Sequence, residues 1–293
     1  MPRCRSAMTD SPRGRLPGAT TPWWLLVAPA LVLMLVFYAW PLVQVLWISF
    51  TEPEPGLGNY ERLLTNEAVQ RVWVTTLRIC IITTTITLLA GYLVAYAIHA
   101  APARWQRWMF VCVLLPLWVS VLVRAFAWIT LLRSQGLVNQ GLMALGAVDQ
   151  PLRLIWNEFG IAVGMIHYMI PYAVLPLFAS MQDIDPRLVP AARGLGASRG
   201  EAFRKVFLPL TFPGIIAATV LVFIFSLGFY VTPAILGGGR TLMVAEYIKL
   251  QILDVIRWGV GTMMASTLLV FILVLLALLS RAVDLRRVFG AAR

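Results

Sequence analysis

Hydrophobic residues are gathered into six long stretches, and charged residues are confined almost entirely to the segments between them. An uncharged run covers 16–51, and its apolar part spans 23–50. Further uncharged runs lie at 79–103 (25 positions), between Glu158 and Asp183 (24), between Lys205 and Arg240 (34) and between Arg257 and Arg281 (23). One more stretch, 108–132, is interrupted only by Arg124. Each exceeds the ~20 helical residues needed to cross ~30 Å of hydrocarbon. The pattern predicts an all-α polytopic membrane protein with six transmembrane helices.

The first run is too long for the apolar region of a signal peptide, about 7–15 residues. It reads as a retained span, entered through the interfacial pair Trp23-Trp24 and bent or bounded by Pro29 and Pro41. Before it lies a polar tail, 1–22, expected to be disordered. Residues 51–72 form an acidic loop, and 73–285 form the main transmembrane domain, followed by a short tail at 286–293. GLVNQGLMALG, within 133–158, reads as a short amphipathic helix. In 241–257, Leu242, Ala245, Ile248, Ile252 and Val255 recur at spacings of three and four. That is a helical stripe suited to an interface or a partner.

Composition agrees with this picture. The chain of 293 residues is 60% hydrophobic and 13% charged, with mean hydropathy +0.81. A soluble domain carries about 25% charged residues. The net charge of +11 is spread between apolar runs, so it points to asymmetry across a bilayer and not to nucleic acid. With the N-terminus inside, inner segments hold fifteen Lys and Arg and outer segments seven. This bias predicts both termini, the 183–212 loop and the tail 1–22 on the cytoplasmic side, with 51–72 periplasmic. Cys4, Cys80 and Cys112 are too few and too scattered for a disulfide framework or a metal site.

The largest charged island is DIDPRLVPAARGLGASRGEAFRKVFLPLTFPGI, 183–215. Its punctuation predicts two short helices. Pro190 can occupy a first helical turn, Gly196 a left-handed cap, and Ser198 the cap of a second helix ended by Pro209. Small Ala191, Ala192 and Gly196 on an exposed helix suit a gripping partner. The island resembles the signature loop of permease subunits of binding-protein-dependent ABC importers, whose pattern is E-A-A, three residues, G, nine residues, I-x-L-P. Pro190-Ala191-Ala192, Gly196, Val206, Leu208 and Pro209 fall in that register, with Pro190 replacing the leading Glu. The resemblance implies the type I importer permease fold. It also implies that Pro190, Ala191, Ala192, Arg193, Gly196, Ala197, Ser198, Arg204, Val206, Leu208 and Pro209 form an ATPase-coupling loop. The implied partners are ABC ATPase subunits that bind ATP and Mg²⁺, a second permease subunit and a periplasmic solute-binding protein. No cofactor is expected in this chain, and the setting is a bacterial inner membrane.

The candidate pathway residues lie inside the spans. Arg124 in PLWVSVLVRAFAWITLL is a costly intramembrane charge that either faces the bundle interior or snorkels to the outer interface. Trp128, Tyr168, Tyr172, Phe229 and Tyr230 either pack the bundle or offer ring faces to an organic cation. His167 is either a core histidine or part of the path. LPLWVSVLVRAFAWITLL, GLVNQGL and SLGFYVTPAILGGG resemble the spermidine/putrescine subfamily, which implies a polyamine solute. Iron, sulfate, phosphonate and opine importers share much of that architecture. The chain has no GxxxxGK[ST] for nucleotide hydrolysis and no HExxH zinc helix, so it reads as a transport subunit and not an enzyme. A secondary transporter or channel acting alone is the alternative. It would call for intramembrane acids or inverted repeats, and neither is visible.

Overall fold

The computed structural model describes residues 23–282; the tails at 1–22, with Cys4, and at 286–293 lie outside the described residues. Among the described residues every regular element is a helix. The first apolar run forms α1 (Trp23–Met34), a π-helical turn at Leu35–Ala39 and α2 (Trp40–Thr51). Neither proline ends a helix: Pro29 lies inside α1, and Pro41 is the second residue of α2. Trp40 N–H reaches back five residues to the Leu35 carbonyl, and this wider turn precedes the proline that lacks a donor.

Next come α3 (Gly58–Thr65) and α4 (Glu67–Ala100). Helix α4 starts well before residue 79, inside a segment expected to be loop. The Asn66 side chain accepts from the Ala68 and Val69 amides and starts the helix there. Its 34 residues span about 51 Å, so its charged first turns extend past the ~30 Å of hydrocarbon. One stripe along it is buried: Val69, Val72, Thr76, Cys80, Thr83, Thr87, Gly91, Ala95 and Ile98. That spacing of three and four carries small residues in the middle, where another helix must come close.

The expected third span is two helices, α5 (Ala103–Trp118) and α6 (Val121–Leu132). Pro116 lies in the last turn of α5, and Val119 and Ser120 are extended, so the helical hydrogen bonds stop and restart. Helix α7 (Leu137–Ala144) is the short helix expected from GLVNQGLMALG. Asn139 is fully buried and fixes the following loop, bonding the Arg133 and Leu152 carbonyls and the Leu152 amide. Helix α8 (Glu158–Gln182) starts at Asn157, whose side chain caps the Gly160 amide at 2.9 Å.

The charged island forms α9 (Leu188–Gly194), α10 (Arg199–Ala202), a π turn at Phe203–Phe207 and α11 (Leu208–Leu210). Pro209 does not stop this helix. As at Pro41, a five-residue π turn precedes the proline, and the chain coils on to Leu210. The break comes at Thr211, where α12 (Phe212–Leu227) departs at 58°. Thr211 is fully buried; its hydroxyl donates to the Leu208 carbonyl at 2.8 Å and lies 3.2 Å from the Tyr92 hydroxyl.

Helices α13 (Val231–Leu236), α14 (Val244–Lys249) and α15 (Trp258–Ala282) complete the chain, with a π turn at Leu250–Asp254. Of the three glycines after α13, Gly237 and Gly238 are packed and Gly239 is open. A side chain at Gly238 would run into the Trp156 ring, and the Trp156 backbone N–H donates to the Leu236 carbonyl at 2.9 Å. The 241–257 stripe is only half-buried and Val255 is exposed; the buried positions there are Met243, Val244, Glu246 and Gln251.

Helices α4, α8 and α12 pack against one another around a core that includes Ala95, Met169, Ala173, Leu177 and Val222. A second cluster joins Ile79, Cys80, Met165, Leu227 and Leu236. Among the described residues five helices are long and apolar enough to cross a membrane, or six if the pair bent at Thr211 is one span. The six-span expectation holds in that sense, with different boundaries.

Candidate functional site

The loop between α8 and α12 is built by local sequence. Arg187 N–H is accepted by the Asp185 carboxylate at 2.8 Å, which fixes the entry to α9. At the other end, Gly196 N–H reaches the Arg193 carbonyl at 3.0 Å and Ala197 N–H the Ala192 carbonyl at 3.1 Å. Gly196 has φ +96°, so this is a Schellman cap, and the glycine expected to be left-handed is so. Ser198 and Glu201 then form a reciprocal capping box, at 3.2 and 3.1 Å, which starts α10. Lys205 closes the turn with a 3.3 Å contact to Glu201, exposed and worth little.

These two caps hold a short helix out from the bundle. Pro190, Ala191, Arg193, Gly196, Ser198 and Arg204 are exposed, and Leu195 is 91% exposed at the tip. Ala192 and Ala197 are half-buried. Val206 and Leu208 are half-buried and Pro209 exposed, while the neighbouring Phe207 is buried against Tyr96 and His99. So the residues in register with the signature present one side to the outside. The aromatic side of the same segment is anchored to the end of α4. An exposed leucine between rigid caps fits a protein partner. Sequence reasoning missed Leu195 because a single leucine between two glycines carries no periodicity.

Inside the bundle, α6, α8 and the end of α12 bring five of the six candidate pathway residues together. Arg124 points inward: its guanidinium lies 4.4 Å from the centre of the Tyr168 ring. Its Nε and Nη1 are buried without a hydrogen-bond partner. Tyr168 stacks with Tyr172 at 5.6 Å and packs on Phe229 at 4.6 Å, and Tyr172 meets Phe225 edge-on at 5.1 Å. Trp128 Nε1–H donates to His167 Nδ1 at 3.3 Å, which adds His167 to the group. Tyr230 does not join it. The chain leaves the helix after Leu227, so successive side chains diverge, and Tyr230 makes no ring contact among the described residues. The free space between Arg124, Trp128, Gly164, His167, Tyr168 and Thr232 is about 10 Å³, at most the room for a single water and far too little for a solute. Cation–π attraction of about 2 kcal/mol when desolvated is the main compensation for holding the charge there.

Another buried polar group lies between α13 and α15. Glu246 is 8% exposed, and one carboxylate oxygen has no partner. Burial pushes its pKa up to about 7, against the pull of Lys249. Val244 N–H donates to Thr76 Oγ1 at 2.9 Å, pinning this segment to α4. Cys80 is buried and Cys112 exposed, both as free thiols. Among the described residues no group of His, Cys, Asp and Glu could hold a metal ion.

Long apolar helices with a capped, exposed helix between two of them suit the membrane subunit of a transporter. The chain belongs to the family described as binding-protein-dependent transport system inner membrane component, which it matches over residues 18–288. It is 30% identical over 234 residues to the spermidine/putrescine transport system permease protein PotB of Escherichia coli K12, covering 80% of this chain and 85% of that protein. It is 31% identical over 246 residues to the protein of the same name from Haemophilus influenzae, covering 84% and 81%. In fold it is similar to a chain of a bacterial alginate ABC transporter solved with an alginate pentasaccharide-bound periplasmic protein. That likeness has a TM-score of 0.73 at 19% identity, over 88% of this chain and 92% of that one. The chain is therefore an ABC importer permease subunit of the inner membrane.

Proposed function

We propose that this permease carries a polyamine, putrescine or spermidine, into the cell by alternating access driven by separate ATPase subunits. The polyamine reading is supported by the relatives at 30–31% identity that bear that transport name. The coupling reading is carried by one observation: α9 is an exposed helix fixed at both ends, by the Asp185 contact and by the Schellman cap, with Leu195 at its tip. A helix so held transmits a push as a rigid body. In this reading the 183–212 loop and both termini are cytoplasmic. Ala191, Ala192 and Gly196 allow an ATPase surface to come close, and Arg193, Arg199 and Arg204 meet its acids. ATP and Mg²⁺ stay on those subunits. ATP-driven closure of the ATPases moves α9 and, through Phe203 and Phe207 packed on α4, tips the bundle outward. A loaded periplasmic protein then delivers solute to a path formed with a second permease subunit.

The test is uptake of labelled putrescine and spermidine by the reconstituted transporter with its binding protein, with and without ATP. ATP-dependent uptake of either amine, lost with Leu195→Asp, is the expected result. Uptake that proceeds without ATPase subunits would refute the coupled mechanism in favour of a transporter acting alone. ATP-dependent uptake of a different solute would refute the polyamine reading only.

A further inference from the structure

The intramembrane guanidinium has a role that the transport reading leaves unused. Arg124 sits over the Tyr168 ring, 4.4 Å from its centre, where a passing organic cation would seek the same ring face. The neighbouring rings extend that surface: Tyr172 stacks on Tyr168, and Phe229 closes its side. No acid lies within the apolar core of any span to balance the charge, and Nε and Nη1 are buried with no hydrogen-bond partner from the described residues. The space around the guanidinium is about 10 Å³, so the site is filled by the chain's own cation. An unpaired charge in a membrane span is expensive and marks a functional position.

We propose that Arg124 is the resident cation of the aromatic site: it occupies the place a solute ammonium takes, keeps the path closed when empty, and must swing off Tyr168 before solute can pass. This rests on the reading of the solute as an organic cation, but the closure itself does not require a polyamine. The arrangement gives selectivity by exchange. Neutral or anionic solutes gain nothing from the Tyr168 face and leave the arginine in place. A cation competes for the ring and releases the side chain.

The experiment uses the whole transporter in liposomes without ATP and measures efflux of labelled tetramethylammonium, a permanent cation unable to cross as a neutral species. Arg124→Ala leaves a guanidinium-sized gap, and efflux is expected to rise about thirtyfold, in keeping with loss of one desolvated cation–π contact. Millimolar methylguanidinium should suppress that leak, whereas urea, similar in shape but uncharged, should not. Arg124→Lys should stay tight. Tyr168→Leu should leak without rescue, and it provides a second test if the Arg124 variant fails to assemble. An Arg124→Ala transporter as tight as the unaltered one would overturn the proposal. So would a leak closed equally by urea, which would reduce Arg124 to filler. Loss of ATP-driven uptake in both Arg124→Ala and Arg124→Lys without any leak would also overturn it, since the arginine would then be needed to receive something transport requires. If the unaltered transporter ignores putrescine while the leak still closes with methylguanidinium, the polyamine reading fails and the resident cation stands.

Discussion

A close approach in the helix core, at Gly91, yields a sharp stability test. A Cβ built on Gly91 of α4 would stand 2.9 Å from the Cβ of Ala173 on α8, closer than such atoms come in real structures. Ala173 is fully buried, and its Cβ is fixed to the helix backbone, so no side-chain rotation relieves the clash. Gly91→Ala must therefore move the two helices apart by several tenths of an ångström. Overpacking of this kind costs about 1–3 kcal/mol. Ala173→Gly removes the opposing atom at the cost of a glycine in a helix, about 1 kcal/mol, plus a small cavity. The double variant should be more stable than the sum of the single losses allows, with a coupling of roughly 0.5–3 kcal/mol. Thermal unfolding of all four proteins in one detergent, followed by tryptophan fluorescence, completes the cycle. Additive losses, within about 0.5 kcal/mol, would refute the claim that the α4–α8 contact is set by this pair.

Other positions give separate tests. Ser198→Ala removes one half of the capping box and should loosen α10 by about 0.5–2 kcal/mol, read as faster proteolysis within 195–205 while the spans stay protected. Gly196→Leu meets no atom within 4 Å, so its cost is the left-handed backbone alone, about 1–2 kcal/mol; ATP-driven uptake should fall much more than thermal stability. Glu246 holds its proton more tightly when folded, since its pKa rises from 4.5 to about 7. Its contribution is complete below about pH 4.5 and is lost as pH rises toward 7, at most roughly 3 kcal/mol. The melting temperature in detergent should fall between pH 5 and pH 8, and Glu246→Gln should flatten that slope.

How far the sequence spoke for itself depended on whether a signal was local. Gly196 and Ser198 adopt the backbone expected of them because their effect is confined to one turn. Pro209 misled for the opposite reason: a π turn ending two residues ahead accommodates its ring, and no residue pattern announces a π turn. The start of α4 at Glu67 was hidden by Arg71 and Arg78, charges that mark the edge of hydrocarbon but not the end of a helix. The inward aim of Arg124 could not be read from its position along α6. It depends on Tyr168, forty-four residues away, being presented by α8. Five of the six pathway candidates meet, and Tyr230 does not: it caps the start of α13, where its side chain leaves the direction taken by Phe229.

The most direct measurement of the central claim is copurification of the tagged chain from its native membrane, followed by an assay for ATP hydrolysis. The account predicts that an ABC ATPase and a second permease come with it, and that the complex hydrolyses ATP, is blocked by vanadate and speeds up with loaded binding protein. A lone, monodisperse protein that moves solute with no ATPase present would contradict it.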